Sequence, residues 1–395
     1  MTATARFVFI LAIAAFASTS SFRVFDPALP QLTQEFGIST GQAAGVVMWF
    51  ALAYGAMQFV YGPLGDRYGK YRVLSLATLA CIIGSLVVAL APTFEWVLIG
   101  RLLSGATSAA VIPLALAWIG DHVPYENRQA TLSRFILGNI IGLTAGLAIG
   151  GIFTDTVGWR GAFYFLAALY LVVGFMLLTQ AKHVDEVASP STKIDFLGPL
   201  SEVFRTPWAR VVLVAVMLEG ALVYGTLAYV PSYLQWEHSL SPSSAGLLAS
   251  LFAVGALMYV ARAPWLIKKY GEVTLARAGG VLLSVCFLMY LIGPSWHWAI
   301  SAGVICGLGY YFLHAVLQAR ATQMAARVRG TAMAMFACFM FIGQGLGVLG
   351  GAWLVDRFSL AAVIFVAAVS LPVLGLVFAY KLSGHIRQST KESNP

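Results

Sequence analysis

Apolar runs of bilayer length recur along the chain, each closed by a short polar stretch. Twelve runs are long enough to cross a membrane as helices: 6–32, 42–63, 72–91, 95–118, 129–153, 161–180, 209–234, 243–265, 273–293, 297–319, 331–354 and 360–381. Their interiors are rich in Gly and Ala, which lets helices pack closely on one another. The longest polar connection, 182–208, carries Pro190, Ser191, Pro199 and Pro207 and splits the runs six and six. The pattern predicts an all-α integral membrane fold with twelve transmembrane helices in two bundles. The first bundle is 1–181, the linker 182–208, and the second bundle, with a short tail, 209–395.

The two bundles read as a repeat. Gly142, Gly146 and Gly150 match Gly343, Gly347 and Gly351 at one constant offset, and Arg128 matches Arg329 at the same offset. Gly65 to Gly69 after the second run and Ile267 to Gly271 after the eighth share a Tyr-Gly ending at nearly that offset. Two pseudo-symmetric halves imply a site near the membrane midplane where they meet.

Composition removes the soluble alternatives. The 395 residues are 59% hydrophobic and 10% charged, against about 25% charged in a soluble domain. The net charge of +8 does not indicate nucleic acid, because the positives are spread over short loops. With both termini taken as cytoplasmic, only Arg23, Arg101, Arg160 and Arg357 of the 24 Lys and Arg fall outside cytoplasmic segments, as the positive-inside rule requires. Arg6 followed by an apolar run and Ala15-Phe16-Ala17 also fits a signal peptide. Its removal would leave an odd number of spans and spoil the charge pattern, so the segment is expected to stay.

Chemistry-bearing residues are few. Cys81, Cys286, Cys306 and Cys338 lie in apolar runs without C-x-x-C spacing and read as small hydrophobes. No cluster has metal-ligand spacing. Gly345 to Gly350 fits G-x-G-x-x-G, but no strand precedes it, so it reads as a helix-packing surface. No phosphate-binding loop and no nucleophile–base set is present, so neither a cofactor nor an enzymatic activity is expected. The informative residues are ionisable groups inside apolar runs, which are costly and by default functional. Asp26 has Arg23 one turn before it and is expected within reach of water. It is read equally as a proton or substrate site and as half of a structural ion pair. Glu219 stands near mid-bilayer with no basic neighbour within a turn and suits reversible protonation. Arg101 is read as a partner of Asp26, as an anion site, or as a donor to backbone carbonyls. His314 shares a helix face with Gln318 and is a candidate proton shuttle or a satisfied interior histidine. Trp49, Tyr54, Gln58, Asn139, Tyr224, Gln318 and Gln344 are candidate lining for an amphipathic solute, although each aromatic taken alone more often packs or anchors at an interface.

Gly62-Pro63-Leu64-Gly65-Asp66-Arg67-Tyr68-Gly69-Lys70-Tyr71-Arg72, between the second and third runs, resembles motif A of the major facilitator superfamily. The resemblance extends to twelve spans, the six-plus-six division and the central polar loop. Arg101 with Gly105 is similar to motif B of the drug:proton antiporter branch, and Gly142, Gly146, Gly150 and Gly151 are similar to its motif C. Leu147 stands where motif C carries proline. Gly158-Trp159-Arg160 and the proline-bearing Asp26-Pro27 also resemble superfamily features.

The resemblance implies a secondary transporter of the bacterial inner membrane, working by rocking-bundle alternating access, with a small-molecule substrate and protons as partners. It is expected to act as a monomer. The first reading is proton-coupled efflux of a small amphipathic organic compound. An uptake symporter or facilitator, and a non-transporting membrane receptor, stay open. Motif A implies a conformational latch built from Gly62, Gly65, Asp66, Arg67, Gly69 and Arg72. In it Asp66 would face the positive end of the eleventh helix, and Asp121 would accept Arg67 or Arg72.

Overall fold

Long apolar runs must satisfy their backbone internally in lipid, so they are expected as helices. The computed structural model describes residues 3–181 and 197–393, where every regular element is helical. The part of the expected linker from 182 to 196 lies outside the described residues; the remainder begins with a helix of its own, Leu197–Arg205.

Eleven helical stretches among the described residues are long and apolar enough to cross a bilayer. Spans 1 to 6 are Arg6–Phe36, Thr40–Tyr68, Lys70–Ala89, Phe94–His122, Arg134–Thr156 and Trp159–Ala181. Span 7 is Pro207–His238. The next stretch, Pro242–Ile292, has 51 residues, which at about 1.5 Å per residue is more than twice the roughly 30 Å hydrocarbon thickness. It breaks at Gly271, where φ is 74° and ψ 159°, a backbone geometry that favours glycine. Its two sides are spans 8 and 9, so the stretch supplies two crossings. Spans 10 to 12 are Trp298–Ala321, Ala326–Arg357 and Leu360–Gln388. Outward apolar side chains such as Ile83 and Phe175 find lipid rather than water as their solvent.

The chain forms two compact units: residues 1–194 with 240–247, and residues 195–239 with 248–395. Each is built on the same glycine contact. In the first, a Cβ added at Gly142 would strike the Phe16 backbone of span 1, one at Gly146 would strike Ser20, and one at Gly150 would strike Val24. In the second, Gly343 lies against Met217 of span 7 and Gly347 against Ala221. Phe16 and Met217, and Ser20 and Ala221, are themselves separated by the offset that separates the glycines. The sequence repeat is therefore a repeat of contacts: span 5 on span 1, span 11 on span 7.

The partner helices also break in register. Span 1 is helical over Ala3–Arg23, turns through the 3-10 segment Asp26–Ala28, and resumes over Leu29–Phe36. The Ala28 amide donates to the Phe25 carbonyl at 2.9 Å. Span 7 makes the same turn at the same offset: the Tyr229 amide donates to the Thr226 carbonyl at 2.9 Å, and Pro231 matches Pro30. Proline supplies no amide donor, so a helix interrupted here needs other partners for its freed carbonyls.

Span 11 offers a comparison within one helix. Gly347 has no room for a methyl group, whereas a Cβ at Gly350 meets nothing within 4 Å. Gly347→Ala is expected to destabilise the protein by about 1–3 kcal/mol through overpacking, while Gly350→Ala leaves stability unchanged. Thermal melts of the detergent-purified variants test this; equal midpoints for both would show that the helix pair tolerates separation.

Candidate functional site

The second unit brings together two sequence-predicted residues that stand 95 positions apart. Glu219 ends the α-helix Pro207–Glu219, about 18 Å along the axis from its start. Its carboxylate Oε2 lies 2.7 Å from Nδ1 of His314 in span 10. Glu219 is fully buried, while the His314 side chain is 11% exposed. The pair holds one hydrogen bond in either of two proton arrangements: a neutral imidazole or imidazolium N–H donating to the carboxylate, or a carboxylic acid donating to the imidazole nitrogen. Glu219 Oε1 has no hydrogen-bond partner among the described residues, an incomplete shell for a buried acid.

Directly after Glu219, the backbone widens into a π-helical turn, Gly220–Tyr224. Such turns are rare overall but frequent at functional sites. Here Gly220 is pressed against the Met340 carbonyl and the Gln344 amide of span 11. Aromatic rings close around the pair: Tyr310 stacks on His314 with centroids 4.7 Å apart, Tyr224 meets Tyr310 edge-on at 5.1 Å, and Phe336 lies 5.6 Å from His314. Gln344 is 1% exposed, and neither its side-chain oxygen nor its nitrogen has a hydrogen-bond partner among the described residues. Glu219, His314, Tyr224 and Gln344 thus belong to one neighbourhood. Tyr310 and Phe336 were missed by sequence reasoning. Tyr310 was within reach, because it sits one helical turn before His314 on the same face.

The first unit holds the other buried charges. Arg101 is fully buried. Its Nη1 donates to the Ser21 carbonyl at 2.9 Å, its Nη2 to the Phe22 carbonyl at 3.5 Å, and its Nε to the Val46 carbonyl at 3.0 Å. The helix Ala3–Arg23 ends two residues after Ser21, and the last four carbonyls of a helix have no helical donor. Arg101 supplies that donor and so ties spans 1, 2 and 4 together. Its guanidinium also lies 4.1 Å from the Phe50 ring centroid, a cation–π contact. Of the three roles expected for Arg101, backbone donation is the one observed; it attracts Asp26 only through space.

Asp26 and Arg23 form the expected pair, with Nε 2.5 Å from Oδ2. Apart from Arg23, neither Asp26 oxygen has a hydrogen-bond partner among the described residues. The expected access to water is corrected: Asp26 is 0% exposed. The 3-10 turn faces it into the unit, beside Phe25, which packs on Phe163 with centroids 4.5 Å apart.

At the far end of span 2, helical residues run through Pro63 to Tyr68 and stop at Gly69, where φ is 90°. A Cβ at Gly65 would meet the Leu114 side chain, so this glycine lets spans 2 and 4 approach. Asp121 pairs with Lys70, not with Arg67 or Arg72 as expected, and Lys70 also lies 3.6 Å from Asp66. The reason is local: Lys70 opens span 3 immediately after the Gly69 break, whereas Arg67 lies over the Tyr68 ring, 5.1 Å from its centroid. Gly62, Asp66, Arg67 and Arg72 are exposed.

The family model described as Major Facilitator Superfamily matches residues 11–327 and 237–394. The chain belongs to that superfamily. It is a multi-pass membrane transporter, and the superfamily's proteins are transporters rather than enzymes. Among curated relatives, the uncharacterized MFS-type transporter YwfA of Bacillus subtilis (strain 168) is 26% identical over 97% of this chain and 94% of its own length. The inner membrane transport protein YnfM of Escherichia coli (strain K12) is 25% identical over 82% of this chain and 78% of its own. A solved point mutant of the nucleoside transporter NupG matches with a TM-score of 0.78, covering 96% of this chain and 99% of that one; at 15% identity it supports the fold alone.

The remaining candidate residues of this superfamily member scatter. Tyr54 and Gln58 interact side chain to side chain in span 2, and both are buried. Asn139 is half-buried, and its carbonyl accepts from Thr19 at 3.1 Å. Trp49 is 39% exposed. Gln318 is exposed although it shares a helix face with buried His314.

Arg101→Lys keeps the charge but not the planar fork. It is expected to cost about 1.5–3 kcal/mol, the worth of a hydrogen bond to a charged group, and to lower the melting midpoint in detergent. Gln318→Ala is expected to leave that midpoint unchanged. An unaltered melt for Arg101→Lys would remove the capping role.

Proposed function

We propose that this transporter couples proton movement to the efflux of a small amphipathic organic solute by rocking-bundle alternating access. The observation that carries the reading is the fully buried Glu219 within 2.7 Å of His314. A pair of this kind exchanges a proton by moving it between two stable arrangements, and each arrangement favours a different packing around the π-turn. A proton arriving at the pair would favour one orientation; its departure on the other side, exchanged for solute, would reset the cycle. Asp26 is the second acid in this scheme, and the Arg23 charge beside it gives it more the character of a structural partner. Tyr224, Tyr310, Phe336 and Gln344 supply the mixture of apolar faces and polar groups that an amphipathic solute requires. Residues 62–72, with Asp121, serve as a latch. The loop charges support cytoplasmic termini, in a chain acting as a monomer in a bacterial inner membrane.

A second reading, proton-coupled uptake or facilitated passage, is favoured by one residue: Leu147 in place of the proline of the antiporter motif. Direction separates the two. In everted vesicles energised acid-inside, the efflux reading expects candidate amphipathic compounds to release protons through the wild-type protein. Glu219→Gln is expected to abolish that release while the same compound still exchanges down its own gradient. Proton release at the wild-type rate from Glu219→Gln would eliminate the coupling assignment, and proton-driven movement in the opposite direction would support uptake.

A further inference from the structure

In the second unit, spans 7 and 12 leave a groove of about 440 Å³ between them. Its walls are apolar along their length, with Val214, Leu218, Val377 and Phe378 among them. Val214, Leu218 and Val377 are 48%, 42% and 53% exposed, so the groove opens on the surface that lipid covers. Two cations line it, Arg210 and Lys381, and no acid does. Arg210 is near the start of span 7 and Lys381 is late in span 12, so they share one end of the groove. Both are exposed, and neither forms an ion pair among the described residues. The same end is clamped: Trp208 of span 7 stacks on His385 with centroids 4.2 Å apart and lies 6.2 Å from Phe378. Aromatic packing therefore sets the width of the groove at its charged end.

We propose that this groove binds an anionic phospholipid, with an acyl chain lying along Val214, Leu218 and Val377 and the phosphate headgroup held by Arg210 and Lys381. The shape and the charge select the same molecule. A soluble anion would satisfy the cations but leave the apolar length empty. A net-neutral lipid would fill the apolar length but leave the two positive charges uncompensated. Arginine grips phosphate through its planar fork, and lysine adds a point charge beside it. Basic residues between transmembrane helices are suited to anionic headgroups for this reason.

The test is native mass spectrometry of the full-length detergent-purified protein with equimolar phosphatidylglycerol and phosphatidylcholine of identical acyl chains. The wild type is expected to retain phosphatidylglycerol adducts over phosphatidylcholine by about thirtyfold, the effect of two cations at the membrane surface. The double variant Arg210→Gln/Lys381→Gln is expected to fall to parity. Arg262→Gln/Lys268→Gln removes the same charge from exposed positions outside the groove and is expected to keep the preference. Val214→Trp, which fills the groove while leaving both cations, is expected to lower phosphatidylglycerol binding. Equal adducts of the two lipids on the wild type overturn the proposal, and this comparison stands even if a variant fails to fold. An equal loss of preference from the Arg262 and Lys268 control, or undiminished binding to Val214→Trp, overturns it as well.

Discussion

A polypeptide in hydrocarbon has no water to complete its backbone hydrogen bonds, so every break in a spanning helix must be repaired by the protein itself. This transporter breaks its first helix in each half, and the repair in the first half is a buried arginine. Arg101 donates to Ser21, Phe22 and Val46. These are bonds to backbone, indifferent to which side chains surround them. A charge that would otherwise be a liability at this depth becomes the joint between three helices. Its guanidinium is further shielded by the Phe50 ring, whose negative face partly replaces lost hydration.

The two halves share a scaffold but divide the chemistry. The offset that carries the glycines of span 5 onto those of span 11 carries Ser18 onto Glu219 and Pro113 onto His314. Ser18 makes an ordinary hydrogen bond to the Ser108 carbonyl at 3.2 Å. The first half is thus neutral where the second is titratable. In the other direction, Asp26 corresponds to Leu227 and Arg101 to Ala302, so the second half lacks the charged joint of the first. Span 7 instead passes through a π-turn after Glu219, and its neighbouring Gly220 and Gly225 press directly on span 11. One half uses charge to hold a broken helix, and the other buries a carboxylate against a histidine beside a π-turn.

Much of the fold was legible because bilayer thickness imposes a length that apolar runs must meet. The eighth and ninth runs, 243–265 and 273–293, were readable as two crossings, and the non-helical Gly271 falls in the gap between them. The paired glycines were readable as a repeat, although not that each faces the equivalent residue of span 1 or span 7. The sites were legible only as separate residues. Glu219 and His314 each stood out as ionisable groups in apolar runs. Nothing in the sequence joined them, because contact between residues 95 apart depends on helix rotation and tilt. The burial of Asp26 and the choice of Lys70 over Arg67 for Asp121 were lost for a similar reason. A single 3-10 turn or a single left-handed glycine re-aims everything within a few residues, and composition does not record that aim.

The glycine contacts constrain how such a molecule can deform. Where Gly150 meets Val24 and Gly343 meets Met217, backbone rests on backbone with no side chain interposed. Sliding one packed helix past another ordinarily proceeds through small rotamer adjustments in the layer between them. Here that layer is missing, so these two helix pairs have no repacking to draw on and must travel as stiff struts. Flexure is then confined to the interrupted turns at 24–29 and 220–230, where the hydrogen-bond ladder is already open.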